Sequence, residues 1–158
     1  MICRIRGQLV SAGPEEVELE VAGLCYQVLV SPSTGEHLAE REEGAQVELH
    51  VYHFLQIDGN RGLPVLMGFE TPAHLQFFLR LLDVPRFGPR GALRSMVIPV
   101  ATYAKAIEIG DTKLLRSLPG VGPQKAKDIV ASLQGKLGAF VDVAEVEGLR
   151  APQVKPES

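Results

Sequence analysis

The feature that most constrains the fold is a change in the spacing of apolar residues part-way along the chain. Residues 16–21 and 46–51 alternate strictly between apolar and polar side chains, a pattern typical of strands with one buried face. Further on, Leu75, Phe78 and Leu82 recur at helical spacing. The sequence therefore predicts an α+β protein in which strands come first and helices follow.

Turn-forming residues divide the first part of the chain into about five short strands. Glycine or proline interrupts the alternation at 13–14, 22–23, 31–33 and 59–62. Because so small a sheet must cover its edges, we expect the strands to close into a small antiparallel barrel. A five-stranded OB-fold over residues 1–66 fits this strand count, and an SH3-like barrel fits it nearly as well.

The second part, residues 67–139, is expected to be all helical, with about five short helices. Thr71 and Asp111 are predicted N-caps, and the last helix is predicted to run from about Pro123 to Leu137. Residues 140–158 have no clear periodicity and are expected to form a flexible tail.

The net charge of −3 conceals opposite charges in the two parts of the chain. Residues 1–66 carry 4 basic and 10 acidic groups, residues 67–139 carry 10 and 5, and residues 140–158 carry 2 and 4. An acidic part is thus followed by a basic part, which is a feature of proteins that bind polyanions. On charge alone, an ordinary solvated helical surface explains the cation excess equally well.

Several classes of function find no support in the sequence. Cys3 and Cys25 are too few for a disulfide framework and wrongly spaced for a zinc site, and we expect both to be reduced and half-buried. We find no catalytic constellation, no metal-ligand spacing and no ATP-binding loop, so no metal or cofactor is predicted. No apolar run approaches the roughly 20 residues of a membrane span. The amino terminus alternates like a strand rather than a signal peptide, which predicts a cytoplasmic protein.

The most informative segment is residues 118–126, Leu-Pro-Gly-Val-Gly-Pro-Gln-Lys-Ala. Its two glycines permit a tight reversal between helices, and a proline at the first helical position starts the second helix. Backbone N–H groups at such a helix start can bind phosphate, and nearby cations strengthen the site. This pattern is typical of a helix-hairpin-helix motif, which grips the nucleic-acid backbone without reading bases. The predicted DNA-binding residues here are Gly120, Val121, Gly122, Gln124, Lys125 and Lys127.

A segment of the same shape lies 34 residues upstream, counted from Gly122 to Gly88. Its first glycine is replaced by Arg86, and a left-handed arginine costs roughly 1 to 2 kcal/mol, so we expect a distorted turn. Arg86, Gly88, Arg90 and Arg94 are the predicted phosphate contacts of this first hairpin. The alternative for the first hairpin is a degenerate structural repeat that no longer touches DNA. The alternative for the second hairpin is a simple turn between packed helices.

Two other interpretations stay open. The second hairpin, with Asp142 twenty residues beyond Gly122, also resembles the DNA glycosylase signature, in which a carboxylate assists loss of the base. Gln124, however, stands where that signature has its attacking lysine. The other interpretation is a generic nucleic-acid-binding module whose barrel grips single strands. Such barrels use a basic groove with exposed aromatic residues, whereas this barrel is acidic.

The ordered set of motifs resembles the RuvA family, the Holliday-junction-binding subunits of branch-migration complexes. Residues 1–7, Met-Ile-Cys-Arg-Ile-Arg-Gly, are similar to that family's start, with cysteine where glycine is usual. Residues 21–28, 53–54 and 68–69 match further barrel segments, and two hairpins follow in order. The resemblance covers residues 1 to about 140.

The resemblance implies a non-enzymatic protein of recombination and repair. It implies a homotetramer that holds a four-way DNA junction open while paired hairpins clasp each duplex arm. The family's central hairpin carries adjacent carboxylates, an acidic pin that helps to separate strands. Here Asp58 stands alone beside Arg61, so we expect the pin to be weakened or lost. The family also has a linker and a helical domain that contacts a RuvB-type motor ATPase, and the 18 residues after Phe140 are too few for both. Coupling to that partner is therefore in question.

Overall fold

The computed structural model describes residues 1–142, which form a closed barrel followed by helices. The elements are β1 Arg4–Ala12, β2 Glu16–Val21, β3 Leu24–Leu29, α1 Pro32–Ala39, β4 Gln46–Asp58, β5 Arg61–Phe69, α2 Pro72–Leu81, α3 Pro89–Ser95, α4 Val100–Glu108, α5 Thr112–Arg116 and α6 Pro123–Leu133.

The strand order around the barrel is β1-β2-β3-β5-β4, and β4 closes the barrel against β1. Neighbouring strands are antiparallel except β3 and β5, which meet in parallel at Leu29 and Met67. A helix, α1, lies between β3 and β4. This arrangement is an OB-fold, so the expected five-stranded barrel is confirmed.

Helix α1 is not predicted from the sequence, in which residues 31–33 indicate only a break between strands. The Ser31 hydroxyl accepts a hydrogen bond from the Thr34 amide at 3.2 Å, and Pro32 occupies the first helical position. Leu38 is 1% exposed and belongs to the barrel core. A helix of only 8 residues presents too short an apolar pattern to be recognised without its tertiary contacts.

The alternating strands bury the side chains that their pattern predicts. Val17, Leu19 and Leu49 are at most 1% exposed and lie in the barrel interior, while Glu16 and Glu20 of the same alternating segment are exposed. The acidic groups counted in the sequence therefore lie largely on the outside of the barrel.

The helical part has a second core that also includes the end of β5. Phe69 of this strand lies 4.8 Å from Phe78 of α2, measured between ring centroids, and Tyr52 of β4 lies 5.5 Å from the same ring. The predicted N-caps are confirmed, since Thr71 and Asp111 accept hydrogen bonds from amides three residues on. Barrel and helices therefore pack against each other through a shared apolar layer.

Three expectations need correction. Helix α6 ends at Leu133 and not at Leu137, because Gly135 is left-handed with φ +85° and breaks the helix. Residues 138–142 are helical again, and Phe140 packs on Phe77 with ring centroids 5.6 Å apart. The rest of the expected tail, 143–158, lies outside the described residues. Cys3 and Cys25 are exposed rather than half-buried.

Candidate nucleic-acid interface

The two hairpins have the same backbone conformation. Arg86 has φ 59° where Gly120 has φ 74°. Gly88 has φ −75° and ψ 169°, and Gly122 has φ −85° and ψ −177°. Arginine thus occupies the left-handed position that glycine holds in the second hairpin.

The hydrogen bonds of the two turns correspond as well. Each hairpin has one bond that closes the turn and one that starts the second helix. The matching bonds run from Phe87 N to Val84 O, Val121 N to Leu118 O, Ala92 N to Gly88 O and Ala126 N to Gly122 O, with distances of 3.2, 3.1, 2.9 and 2.9 Å. The distortion expected from Arg86 is therefore wrong, because the first hairpin keeps the shape of the second.

Buried side chains hold both turns in place. Phe87 and Val121 are 6% and 4% exposed, and Ala92 and Ala126 are fully buried. Val121 therefore packs between the helices, as the sequence predicted, and only its backbone is available to a ligand.

The glycines of both turns face open space. Within residues 1–142, a Cβ atom built on Gly88, Gly120 or Gly122 would meet no atom closer than 4 Å beyond its chain neighbours. By contrast, a Cβ on Gly68 in the barrel would lie 2.6 Å from Val28. A ligand backbone can therefore approach the hairpin amides closely.

The helix starts behind these glycines lack side-chain caps. The side chains of Ser31, Thr71 and Asp111 cap α1, α2 and α5, whereas no side chain of the described residues caps α3 at Gly88 or α6 at Gly122. Helix α4, which starts after Pro99, also has no such cap. Uncapped first-turn amides retain their partial positive charge, which favours an anion.

The predicted cations divide into two groups. Arg86 and Lys127 are exposed, and their side chains make no hydrogen bond or ion pair within residues 1–142. Arg94 is also exposed and lines a cleft that includes Glu15 of the barrel. Arg90 instead donates from Nε to Gln56 Oε1 at 3.0 Å, which ties α3 to β4. Arg90 and Arg94 therefore lie towards the barrel.

Lys125 is held by the first hairpin. Its Nζ donates to the carbonyl oxygens of Pro85 at 3.1 Å and Arg86 at 2.8 Å. The same ammonium lies 5.2 Å from the centroid of the Phe87 ring. Gln124, also predicted to contact DNA, is exposed and donates to Asp128 at 3.0 Å.

Two further cations, absent from the predicted set, lie beside the second hairpin. Lys113 and Arg116 of α5 are exposed, and they line a groove with Ser117 and Pro123. Lys127 follows Pro123 by one helical turn and so lies on the same side of α6. The spacing of Lys113 and Arg116 on a helix that leads into the hairpin was the available signal.

The central hairpin, formed by β4 and β5, extends beyond the strand pairs that close the barrel. Asp58 lies directly across from Arg61 at its end, so the only carboxylate of this tip has a cation opposite. Leu55 and Ile57 on the same hairpin are 57% and 65% exposed.

The two alternative interpretations depend on the aromatic residues of the barrel and on Asp142. Tyr52 and Phe54 of the barrel stack at 5.2 Å and pack against the helical core, so they do not form an exposed platform for bases. Asp142 is exposed at the end of the described chain.

Within residues 1–142, no group of three or more His, Cys, Asp or Glu side chains is arranged to hold a metal ion. In that same range no helix is long and apolar enough to cross a membrane.

The fold and the site together define an OB-fold protein with a tandem helix-hairpin-helix unit. Comparisons with known proteins narrow this class. Residues 1–60 match the family described as RuvA N terminal domain. Several curated proteins named Holliday junction branch migration complex subunit RuvA are similar to the chain over most of its length. One from Desulfosudis oleivorans is 34% identical, covering 90% of this chain and 68% of its own length. One from Rhodopirellula baltica is 35% identical, covering 98% of this chain and 78% of its own length. One from Caldanaerobacter subterraneus is 32% identical, covering 94% of this chain and 77% of its own length. The chain belongs to the RuvA family.

Proposed function

We propose that this chain binds four-way DNA junctions, and the duplex arms within them, during recombination and repair. The pair of equivalent hairpins with open glycines and uncapped amides is the observation that carries this proposal. The relatives are named as subunits of Holliday junction branch migration complexes, which supports the same ligand. Because DNA is the ligand, we expect the protein in the cytoplasm.

Main-chain amides provide the grip. Phosphate oxygens accept hydrogen bonds from the first-turn amides of α3 and α6, where the helix dipole favours negative charge. Arg86, Lys113, Arg116 and Lys127 add positive charge around these turns. Contacts of this kind position a duplex without reading its sequence. The role is one of binding and not of catalysis.

The second hairpin makes the stronger contact. Lys113, Arg116 and Ser117 precede it, while the residues 34 positions earlier, before the first hairpin, are Leu79, Leu82 and Asp83. The first hairpin thus has an acidic group where the second has a hydroxyl, and it relies on Arg86 for its charge.

A four-way junction has four duplex arms, and each chain carries one pair of hairpins. We therefore propose that four copies assemble with fourfold symmetry, one for each arm. A RuvB-type motor ATPase is the candidate partner for branch migration. Adding the chain to such an ATPase on junction DNA, and measuring ATP hydrolysis, tests that coupling.

Replacing Gly122 by leucine tests the proposed DNA grip. Gly122 has an extended backbone and open space around it, so Gly122→Leu folds but fills the space in front of the amides. We expect junction affinity to fall at least about tenfold, since hydrogen bonds to charged groups are worth about 1.5 to 3 kcal/mol each. Fluorescence anisotropy with labelled junction, duplex and single-stranded DNA measures the effect.

Gly13→Leu in the barrel is the matched control, because a Cβ there makes only an ordinary contact at 3.5 Å. It should leave affinity unchanged. Equal affinity of the wild type for junction, duplex and single strand contradicts junction selectivity and favours the generic module. Base-release activity on damaged duplex that disappears in Asp142→Asn favours the enzyme.

A further inference from the structure

One cation links the two hairpins. The Lys125 ammonium belongs to the helix of the second hairpin, and it donates to both carbonyl oxygens at the turn of the first, those of Pro85 and Arg86. It also lies over the ring of Phe87, which fills the first turn from inside. Three features of one turn therefore converge on a single side chain from the other.

The link runs in one direction only. The residue 34 positions before Lys125 is Gly91, which has no side chain to reach the second hairpin. The receiving turn is also the one that needs support, because Arg86 is left-handed where glycine would be unstrained. An ammonium on the Arg86 carbonyl favours the orientation of that peptide group.

This contact directs the Lys125 ammonium at the protein and uses two of its three N–H donors. Its side chain is half-buried, whereas Lys127, two residues later, is exposed and has no partner within the described chain. The two lysines therefore offer a comparison within one helix: one aimed at the protein and one at solvent.

We propose that Lys125 is a positioning residue that fixes the first hairpin relative to the second, so that both bind phosphates of the same duplex arm. The inference rests on the proposed function and extends it, because two linked grips bind more tightly only when their spacing matches the ligand. Lys125 acts through the Pro85–Arg86 turn and not by touching DNA.

The first test needs no DNA. In Lys125→Met the methionine keeps much of the apolar stem but loses both hydrogen bonds. We expect amide hydrogen exchange of Phe87 to speed up about tenfold, while Val121, the equivalent amide of the second hairpin, stays unchanged. Lys125→Arg, which can donate to both carbonyls, should restore slow exchange, and Lys127→Met should have no effect. Unchanged Phe87 exchange in Lys125→Met overturns the inference whether or not DNA binds.

The second test is a double-mutant cycle with Gly88→Glu. This glutamate faces open space at a permitted φ of −75° and repels phosphate from the first hairpin alone. Introduced into the wild-type chain, Lys125→Met should weaken duplex binding by about tenfold. Introduced into the Gly88→Glu variant it should have almost no effect, because the first hairpin of that variant no longer binds phosphate. Lys127→Met should weaken binding equally in both backgrounds.

The outcomes separate the possibilities. If Lys125→Met costs the same in both backgrounds and lowers the slope of log affinity against log salt by about 0.9, Lys125 contacts a phosphate itself and the inference is wrong. If the wild type binds neither junction nor duplex, the proposed function fails instead. Measurements at low salt keep the Gly88→Glu affinities within range.

Discussion

Arg86 and Gly120 occupy the same backbone position in the two hairpins. Comparing them distinguishes the backbone conformation that the turn requires from the side chain that it carries. Both are left-handed, at φ 59° and 74°. The turn therefore needs the conformation and not the absence of a side chain. With arginine at this position, the first hairpin combines the strained backbone with a cation next to its amides.

Arg86→Gly should therefore change stability and binding in opposite directions. We expect the free energy of unfolding to rise by about 0.5 to 1 kcal/mol, because strain is relieved at some cost in unfolded-chain entropy. The slope of log affinity against log salt should fall by about 0.9, for one lost phosphate contact. Urea unfolding and salt titration of duplex binding measure the two effects. Ala22→Gly, at the left-handed position of the β2–β3 turn with φ 51°, should raise stability alone. A loss of stability in Arg86→Gly contradicts the strain argument.

Tyr103 should make the stability of the protein depend on pH in the alkaline range. Burial raises the pKa of Tyr103 to about 12, although its hydrogen bond with Ser95 acts in the opposite direction. An unfolded tyrosine ionises near pH 10. The pKa of Tyr103 is therefore higher in the folded than in the unfolded protein. The stability that its neutral, buried hydroxyl contributes is fully present below about pH 10 and is lost as the pH rises towards 12.

Wild-type unfolding free energy should therefore fall by up to about 2 to 3 kcal/mol more than that of Tyr103→Phe between these pH values. At neutral pH the variant should be less stable by about 1 kcal/mol, from the lost hydrogen bond. Tyr26→Phe in the barrel is the control. Parallel pH profiles for wild type and Tyr103→Phe would exclude this explanation.

At the scale of elements, helix ends decide which amides are free. The turn after α6 also presents backbone amides that no helix uses, but Glu108 occupies them. Its carboxylate accepts from Gly135 N at 3.0 Å and from Leu137 N at 2.8 Å. An internal carboxylate thus fills this turn, while the turns at Gly88 and Gly122 stay open.

Glu108→Ala should destabilise the segment that follows α6. Removing the carboxylate leaves two amides without their acceptor, at a cost of about 1 to 3 kcal/mol. Chemical denaturation measures the loss, and faster hydrogen exchange at Gly135 and Leu137 should accompany it. Glu43→Ala, an exposed barrel glutamate, is the control. Equal stability of the two variants contradicts the role of Glu108.

At the scale of the whole molecule, negative charge lies on the barrel and positive charge lies around the second hairpin. Glutamates cover the outside of the barrel, while Lys113, Arg116 and Lys127 lie around the second hairpin. The Arg90 to Gln56 hydrogen bond and the apolar layer around Phe78 join the parts. DNA should therefore approach the hairpin face and be repelled by the barrel surface.

The proposed fourfold assembly fixes the number of copies bound to each junction. Multi-angle light scattering of the chain with a synthetic four-way junction should give four copies for each junction, because we propose that each pair of hairpins binds one arm. Duplex alone should not give this stoichiometry. A single copy bound to each junction would contradict the fourfold arrangement.

The sequence alone determined the architecture and one hairpin in detail. Alternation at 16–21 and 46–51 and the N-caps Thr71 and Asp111 are local signals, since each depends on residues a few positions apart. The glycine pattern of residues 118–126 is local as well. These signals sufficed for a small five-stranded barrel followed by helices and for the buried position of Val121.

Tertiary structure decided where the side chains of the site point. Lys125 and Lys127 are indistinguishable in sequence as cations near a hairpin, yet a turn 39 residues away engages only the first. Arg90, which the sequence predicts to contact DNA, is held by Gln56 of the barrel. Lys113 and Arg116 lie beside the second hairpin because α5 packs against α6. Such contacts join residues far apart in the chain, and a local pattern contains no information about which distant carbonyl or amide a long, flexible side chain will meet.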